Sequence, residues 1–535
     1  ASPAYGERWG QHWLDVVRFA ESEGFEYDTP VGSLWRYRDY VVESLNADKP
    51  FDRFLREQVA GDEIEPPDRE ARVAAGFHRL GPVRRNKGNQ DVASSRNEVL
   101  TDRTDILGGA FLGMTLGCAR CHDHKFDPIL QKDYYRFQGF LAATDAEDES
   151  LADAATEAAW KAKTEEIQAQ IAPLRRQMKT VSDEEKPALE ARIDKLEDAL
   201  PPPLSGINTI RNLPEPTPIH VLKGGEHTRK ADPVGMRYPS VLVADGAPEL
   251  PLATPKPRTR LADWLVDPKH PLTARVLANR VWQHHFGAGL VRTPNDFGKN
   301  GERPSHPELL DWLASTLVEG GWRLKDFHRL LLRSSVYRQT SASSAGRAKD
   351  PENRLLSRFS RRRLAAEEIR DAMLAISGKL NPKRGGESVF VPVDEELVKA
   401  LYKPSQWAVT RDPEEHFRRS IYLVAKRNLR LPSMEVFDQP ALGSSCGRRE
   451  SSTHAPQALE LLNGRTSNGL AAAFAERLRR EAPDDASRVE LGFCLAAGRP
   501  PSSEERRLSR EFLRAQPLRE FALALFNLNA VLHVD

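Results

Sequence analysis

The stretch TDRTDILGGAFLGMTLGCARCHDHKFDP, residues 101–128, decides how this chain reads. From Ile106 to Gly117 it carries no charge, and its leucine, isoleucine and phenylalanine positions suit a helix. A helix that apolar is buried on most sides, so the pattern predicts a long core helix leading straight into Cys118. The neighbourhood reads the same way. In RWGQHWLDVVRFA, residues 8–20, Trp9, Trp13, Val16 and Val17 fall on one helical face, and residues 35–60 continue in that style past a turn at NADKP. The class expected is mainly α.

At the end of that helix, Cys118, Cys121, His122 and His124 fall within seven positions of a chain with only four cysteines. Cys-x-x-Cys-His is the spacing at which two thiols add to the two vinyl groups of haem, with the adjacent histidine turned onto the iron. Cys118 and Cys121 are then the thioether anchors, His122 the axial metal ligand, and His124 a supporting residue whose tautomer Asp123 or Asp127 would fix. Zinc remains open with Cys118, Cys121 and one histidine, but a closed structural site wants a second ligand pair that the chain does not supply. A redox dithiol needs a helix starting at the first cysteine, whereas here one ends. Plain packing would leave both histidines idle. Of the other cysteines, Cys446 has polar flanks and Cys494 reads as core.

Composition narrows the function classes. The 535 residues carry a formal net charge of +1, with 29% charged and 39% apolar residues. Neither a nucleic-acid footprint nor a membrane-surface patch follows from that balance. No apolar run approaches the roughly 20 residues of a membrane span. The opening, ASPAYGERWGQHWLDV, is already amphipathic and resembles no signal peptide, which implies either a cytosolic protein or a processed or truncated chain.

Four segments are expected. Residues 1–150 form a helical domain holding the cysteine motif. Within 151–206, Ile167, Ile171, Leu174, Met178 and Val181 recur at coiled-coil spacing, and Leu189, Ile193, Leu196 and Leu200 resume it after SDEEKP. That is an inserted helical hairpin, with Ser182 as N-cap of its second arm. Residues 207–256 are proline-rich, with strands expected in TPIHVLKGG and SVLVADG. From 257 to 535 helical periodicity dominates, apart from strands expected in SVFVPV and RSIYLVAKR.

A second constellation is NRVWQHHFGAGLVRTPNDFG, residues 279–298. Arg280 and His284 are four apart on one helix face and His285 points elsewhere. One histidine would cap the iron or act as general base, Arg280 would hold an anionic group, and Asp296 follows in the loop. Packing against Trp282 and Phe286 is the bland alternative. His12 reads as structural and His306 as an N-cap. Glu21, Glu23, Glu26 and Asp28 form an acidic cluster for which calcium is a candidate, although the spacing matches no loop module. CGRRESST, residues 446–453, could hold an anionic or sugar group or simply cap the next helix.

The chain resembles the two-domain, cytochrome-associated family of secreted planctomycete proteins. YGERWGQHWLDVVRFAESEGFEYD, DKPFDRFLREQVAGD and FLGMTLGCARCHDHKFDPILQKDYYRFQGF suggest its cytochrome-like first domain. The block from LADWLVDPKHPLTARVLANRVWQHHF onward, RRRLAAEEIRDAMLA, RRSIYLVAKR and SCGRRESSTHAPQALELLN suggest its C-terminal companion. The resemblance implies export to the periplasm or beyond, one covalent haem c, and an upstream cytochrome c domain or partner cytochrome. It also implies that this chain starts inside the first domain. Polysaccharide-related chemistry is implied by association alone. The expectation is therefore an extracytoplasmic haem oxidoreductase acting on carbohydrate and passing electrons to a partner cytochrome. Its catalytic candidates are His284, His285, Arg280 and Asp296. Two alternatives stand beside it: an electron-transfer or scaffold subunit of an oligomer or larger complex, and a hydrolase with a structural haem or zinc.

Overall fold

Small residues set the first helix crossing. Helices α1 (Tyr5–Val16) and α2 (Trp35–Asn46) pack so closely that a Cβ on Gly6 would stand 2.1 Å from the carbonyl oxygen of Val42. Helix α3 (Phe51–Ala60) closes the group, and the indole of Trp13 donates to Gln58 Oε1 at 2.9 Å in its interior. The computed structural model describes residues 2–84, 92–178, 180–182, 185–202 and 204–534. Its architecture is mainly α, as the periodicity predicts, with three two-stranded antiparallel ribbons among the described residues. No described helix is long and apolar enough to cross a membrane.

The decisive stretch differs from its expectation. Helix α4 (Val92–Leu107) does not run on to Cys118. It passes into a π-helical turn over Gly108–Leu112 and stops at Gly113, whose φ of 57° is left-handed. A Cβ there would also press to 2.9 Å from Phe297 and Val276, so glycine is required twice over. Arg280 captures the carbonyl oxygens of Gly109 and Ala110 that the altered turn turns outward. The cysteines follow on a separate 3₁₀ turn, Leu116–Arg120, before helix α5 (Gln131–Gln138).

Strand β1 (Thr144–Ser150) pairs with β2 (Gly206–Asn212) in a ladder running from Thr144 opposite Asn212 to Ser150 opposite Gly206. The inserted hairpin, α6 (Ala154–Gln177) and α7 (Lys186–Asp198), is carried at the end of this ribbon. Ile167, Ile171 and Ile193 give it a small core of its own. Ser182 is not the N-cap of α7; its amide and hydroxyl both donate to Glu185 at the helix entry. Beyond it, β3 (His220–Leu222) pairs with β4 (Lys230–Pro233). SVLVADG forms no strand, only a 3₁₀ turn at Ser240–Leu242.

Packing does not divide the chain at residue 257. Helices α8 (Pro257–Leu265), α9 (Thr273–Phe286), α10 (Pro307–Glu319) and α11 (Leu324–Arg333) share one continuous core with α1–α5. The second core gathers α12 (Ala366–Ser377), α13 (Ala455–Asn463), α14 (Arg465–Glu481), α15 (Asp485–Ala497) and α17 (Leu518–Phe526), with α16 (Ser503–Ala515) against its outside. The two expected strands near 388–393 and 419–427 reduce to isolated bridges, Val389 parallel to Leu423 and Lys426 antiparallel to Leu429. Ser420–Tyr422 coils into a 3₁₀ turn instead of continuing the pairing. Cys494 is exposed on α15 rather than packed in the core.

Candidate functional site

The cysteine turn is built to face outward. Cys118, Cys121 and His122 are all exposed, and neither thiol is in a disulfide. Two bonds to one carbonyl pin the turn: Tyr135 Oη donates to Arg120 O at 2.8 Å, and Gln131 Nε2 donates to it at 2.9 Å. Gln131 reaches Leu222 O as well, at 2.7 Å, tying the turn to β3. The ribbon passes so close that a Cβ on Gly225 would stand 2.7 Å from Cys121 Sγ. His122 Nδ1 lies 2.7 Å from the carbonyl oxygen of Asp123. A carbonyl can only accept, so Nδ1 carries the proton and Nε2 presents its lone pair.

His124 is the reverse case. Its ring is buried, Nδ1 accepts from the amides of Asp127 (2.9 Å) and Phe126 (3.3 Å), and Nε2 meets Thr115 Oγ1 at 3.1 Å. Both nitrogens are committed, so His124 folds the loop and holds no cofactor. Asp127 in turn accepts the amide of Lys299 at 2.7 Å, seating this loop on residues 296–299.

The histidines of α9 belong to a larger centre. His284 stacks on His12 of α1 with ring centroids 3.5 Å apart and planes 17° from parallel. His285 Nε2 bonds His328 Nδ1 of α11 at 3.0 Å, and the indole of Trp9 lies within 6 Å of all four rings. Burial holds every one of these imidazoles neutral, lowering His285 to about 4 and His328 to about 3, and His12 and His284 well below the usual range. Among the described residues the rings of His12 and His284 make no hydrogen bond, and their nitrogens are not sealed from solvent. The sequence pointed to His284 and His285 but read His12 as structural and did not single out His328. Only the fold brings α1, α9 and α11 together.

Two of the sequence candidates are spent elsewhere. Arg280 is buried and donates to Gly109 O, Ala110 O and Asn295 Oδ1, so it cannot hold an anion. Asp296 accepts the amide of Gly298 at 2.9 Å and shapes its own loop. The loop 445–449 sits on these elements: Asn295 Nδ2 donates to Ser445 Oγ at 3.0 Å, Gln283 Nε2 to Gly447 O at 2.8 Å. Arg449 is clamped bidentately by Asp15 of α1 and by Glu367 of α12, with four N–H···O contacts of 2.6–3.0 Å. Ser452 binds Asp438. That run is therefore a clasp between the two cores and not an anion pocket. Burial pushes the neighbouring Cys446 thiol up to about 11, which leaves it inert.

The remaining candidates also resolve. Of the acidic run, Asp28 bonds Lys426 at 2.9 Å and the amide of Gly24, Glu21 is buried against the amide of Ala425, and Glu26 is exposed. His306 stands at the N-cap of α10, but its ring meets Ser305 Oγ instead of capping. Among the described residues no three histidine, cysteine, aspartate or glutamate side chains are grouped to hold a metal ion.

Neither a curated protein nor a solved structure matches the chain. Two families do. Residues 1–146 match PSCyt2, described as a protein of unknown function (DUF1549), and residues 257–513 match PSD1, described as a protein of unknown function (DUF1553). The cysteine turn, α1 and its His12 and Asp15 lie in the first match; His284, His328, Glu367 and Arg449 lie in the second. The histidine centre and the Arg449 clasp thus draw on both matched segments, and the chain carries a DUF1549 and a DUF1553 family-model domain, a pairing typical of planctomycete-type proteins.

Proposed function

We propose that the protein is an extracytoplasmic c-type haem redox protein whose haem is held by Cys118, Cys121 and His122. One observation carries the reading: on an exposed turn with two free thiols, the bond from His122 Nδ1 to Asp123 O leaves Nε2 ready as an iron ligand. The donor set fits haem better than zinc, because His124, the fourth ligand zinc would recruit, is locked onto Thr115. A haem bound there supplies one-electron chemistry. The chain's own contribution is to hold the turn rigid through Gln131 and Tyr135 and to fix the His122 tautomer. Cys118, Cys121 and His122 all stand on the surface. A haem held by so exposed a turn would suit electron exchange with a partner cytochrome more than oxidation of a bound substrate. The test is expression with a haem-attachment system followed by denaturing extraction. Colour that stays with the wild-type chain and is lost from Cys118→Ala/Cys121→Ala supports the reading; colour lost from both refutes it.

A second reading has its own support. His12 and His284 are neutral imidazoles whose nitrogens make no hydrogen bond among the described residues, the state a general base needs. The charges around them are of both signs, with Arg8, Arg280, Arg362 and Arg449 beside Glu367, Glu368 and Asp15. Such a centre suits acid–base chemistry on a neutral polar substrate such as a carbohydrate. A His12→Ala or His284→Ala variant that keeps its fold and haem but loses carbohydrate turnover would support it; undiminished turnover would end it.

A further inference from the structure

Exposed cations gather around the cysteine turn without an ion-pair partner among the described residues, Lys125 lying over the ring of Phe126 at 5.2 Å. Lys125 follows the motif, and Lys132 begins α5 next to Gln131, whose side chain binds the turn. Lys223, Arg229 and Lys230 stand on the β3–β4 ribbon, where the bond from Gln131 to Leu222 O and the approach of Gly225 to Cys121 place them beside it. Lys299 is brought in by its amide bond to Asp127. All six side chains are exposed, and no ion pair among the described residues engages them. Elsewhere exposed cations commonly find carboxylates, as Arg136 finds Glu249 and Arg354 finds Glu302. Of the nearby acids, Asp123 is spent on the amide of Gln131, Glu226 on His227, and Glu249, which also feels the charge of Lys132, on Arg136, while Asp232 shares strand β4 with Lys230. Within the ring, Phe126 and Leu130 expose 46% and 48% of their surface.

An apolar centre within a rim of one sign is the makeup of a transient protein interface, in which charge steers encounter and a small apolar contact completes it. A bare array of cations would instead suit a sulfated polysaccharide. We infer that this face docks an acidic redox protein, which exchanges electrons across the Cys118–His122 turn. The inference rests on the haem reading and names the chemistry of its partner.

The test immobilises the haem-loaded chain and measures binding of three probes: an acidic flavodoxin, a basic cytochrome c and dextran sulfate. The flavodoxin should bind, and weaken about tenfold or more between about 20 and about 200 mM salt. Lys125→Glu/Lys132→Glu/Lys223→Glu should cost about tenfold or more, whereas Lys161→Glu/Lys195→Glu on the distant hairpin should change nothing. Equal binding of the basic cytochrome, an unaffected triple variant, or binding of dextran sulfate without flavodoxin would each overturn the inference. An absorption spectrum of the same samples separates the two failures. Haem present without charge-dependent docking sinks only the docking surface, and haem absent sinks the reading beneath it.

Discussion

Replacing Arg449 by methionine tests whether the two cores are clasped as described. The guanidinium donates to Asp15 at 2.6 and 2.9 Å and to Glu367 at 2.6 and 3.0 Å, and all three side chains are at least four-fifths covered. Burial by itself would raise both carboxyls; Arg449 overcomes this at Glu367, which stays below the usual range, while Asp15 remains raised. Methionine preserves the volume but leaves two buried carboxylates uncompensated, a loss of about 3–5 kcal/mol. Against a typical stability of roughly 5–15 kcal/mol that is a large fraction. The assay is urea unfolding followed by tryptophan fluorescence at pH 7, comparing midpoints at constant slope. Arg449→Met/Asp15→Asn/Glu367→Gln should recover about half of the loss or more, because replacing all three charges removes the penalty of leaving two unpaired. The single-variant deficit should also shrink toward pH 5, as the freed carboxylates take up protons. A cost below about 1 kcal/mol, or no recovery in the triple variant, would refute the reasoning.

Three further outcomes are expected. His122→Ala should alter the iron spectrum while the haem stays covalently attached; His124→Ala should leave the spectrum alone and cost about 1–3 kcal/mol through the amides of Phe126 and Asp127, as thermal melting would show. Arg280→Ala should lower stability by about 2–4 kcal/mol by stripping the π-turn carbonyls of their donor, without changing a haem spectrum, and a spectral change would contradict its structural role. Acid should destabilise the fold through the histidine centre. Unfolded histidines take protons near pH 6.5 and the folded ones resist, so stability is full above that pH and falls as pH drops toward 4; the shift of His285 to about 4 alone corresponds to roughly 3 kcal/mol. His285→Asn/His328→Asn should flatten that slope in unfolding midpoints measured between pH 7 and 5, and an unchanged slope would place the acid sensitivity elsewhere.

The helical class and the inserted hairpin were legible because heptad spacing at Ile167, Ile171 and Ile193 is a local property of the chain. The break at Gly113 was less so. The sequence reads there as one continuous helix, and the π-turn is held by Arg280, 170 residues away from the carbonyl of Ala110. The same distance effect governs the candidate sites. Cys118, Cys121 and His122 are contiguous and could be read directly, while the stacking of His12 on His284 needs two helices that only tertiary packing makes neighbours. Arg280 and Asp296 looked free in sequence because their partners are mostly backbone groups, which no residue pattern displays. Strand signals failed at SVLVADG and SVFVPV because a strand needs a paired ladder as well as β-branched residues.

The central claim is a covalent haem on the Cys118–His122 turn. Its most direct measurement is the dithionite-reduced absorption spectrum of protein made with a haem-attachment system, recorded natively and again after denaturation in alkaline pyridine. The account predicts a c-type α-band in the native spectrum and a haemochrome that stays with the denatured chain. A colourless protein, or a haem that extracts freely, would contradict it.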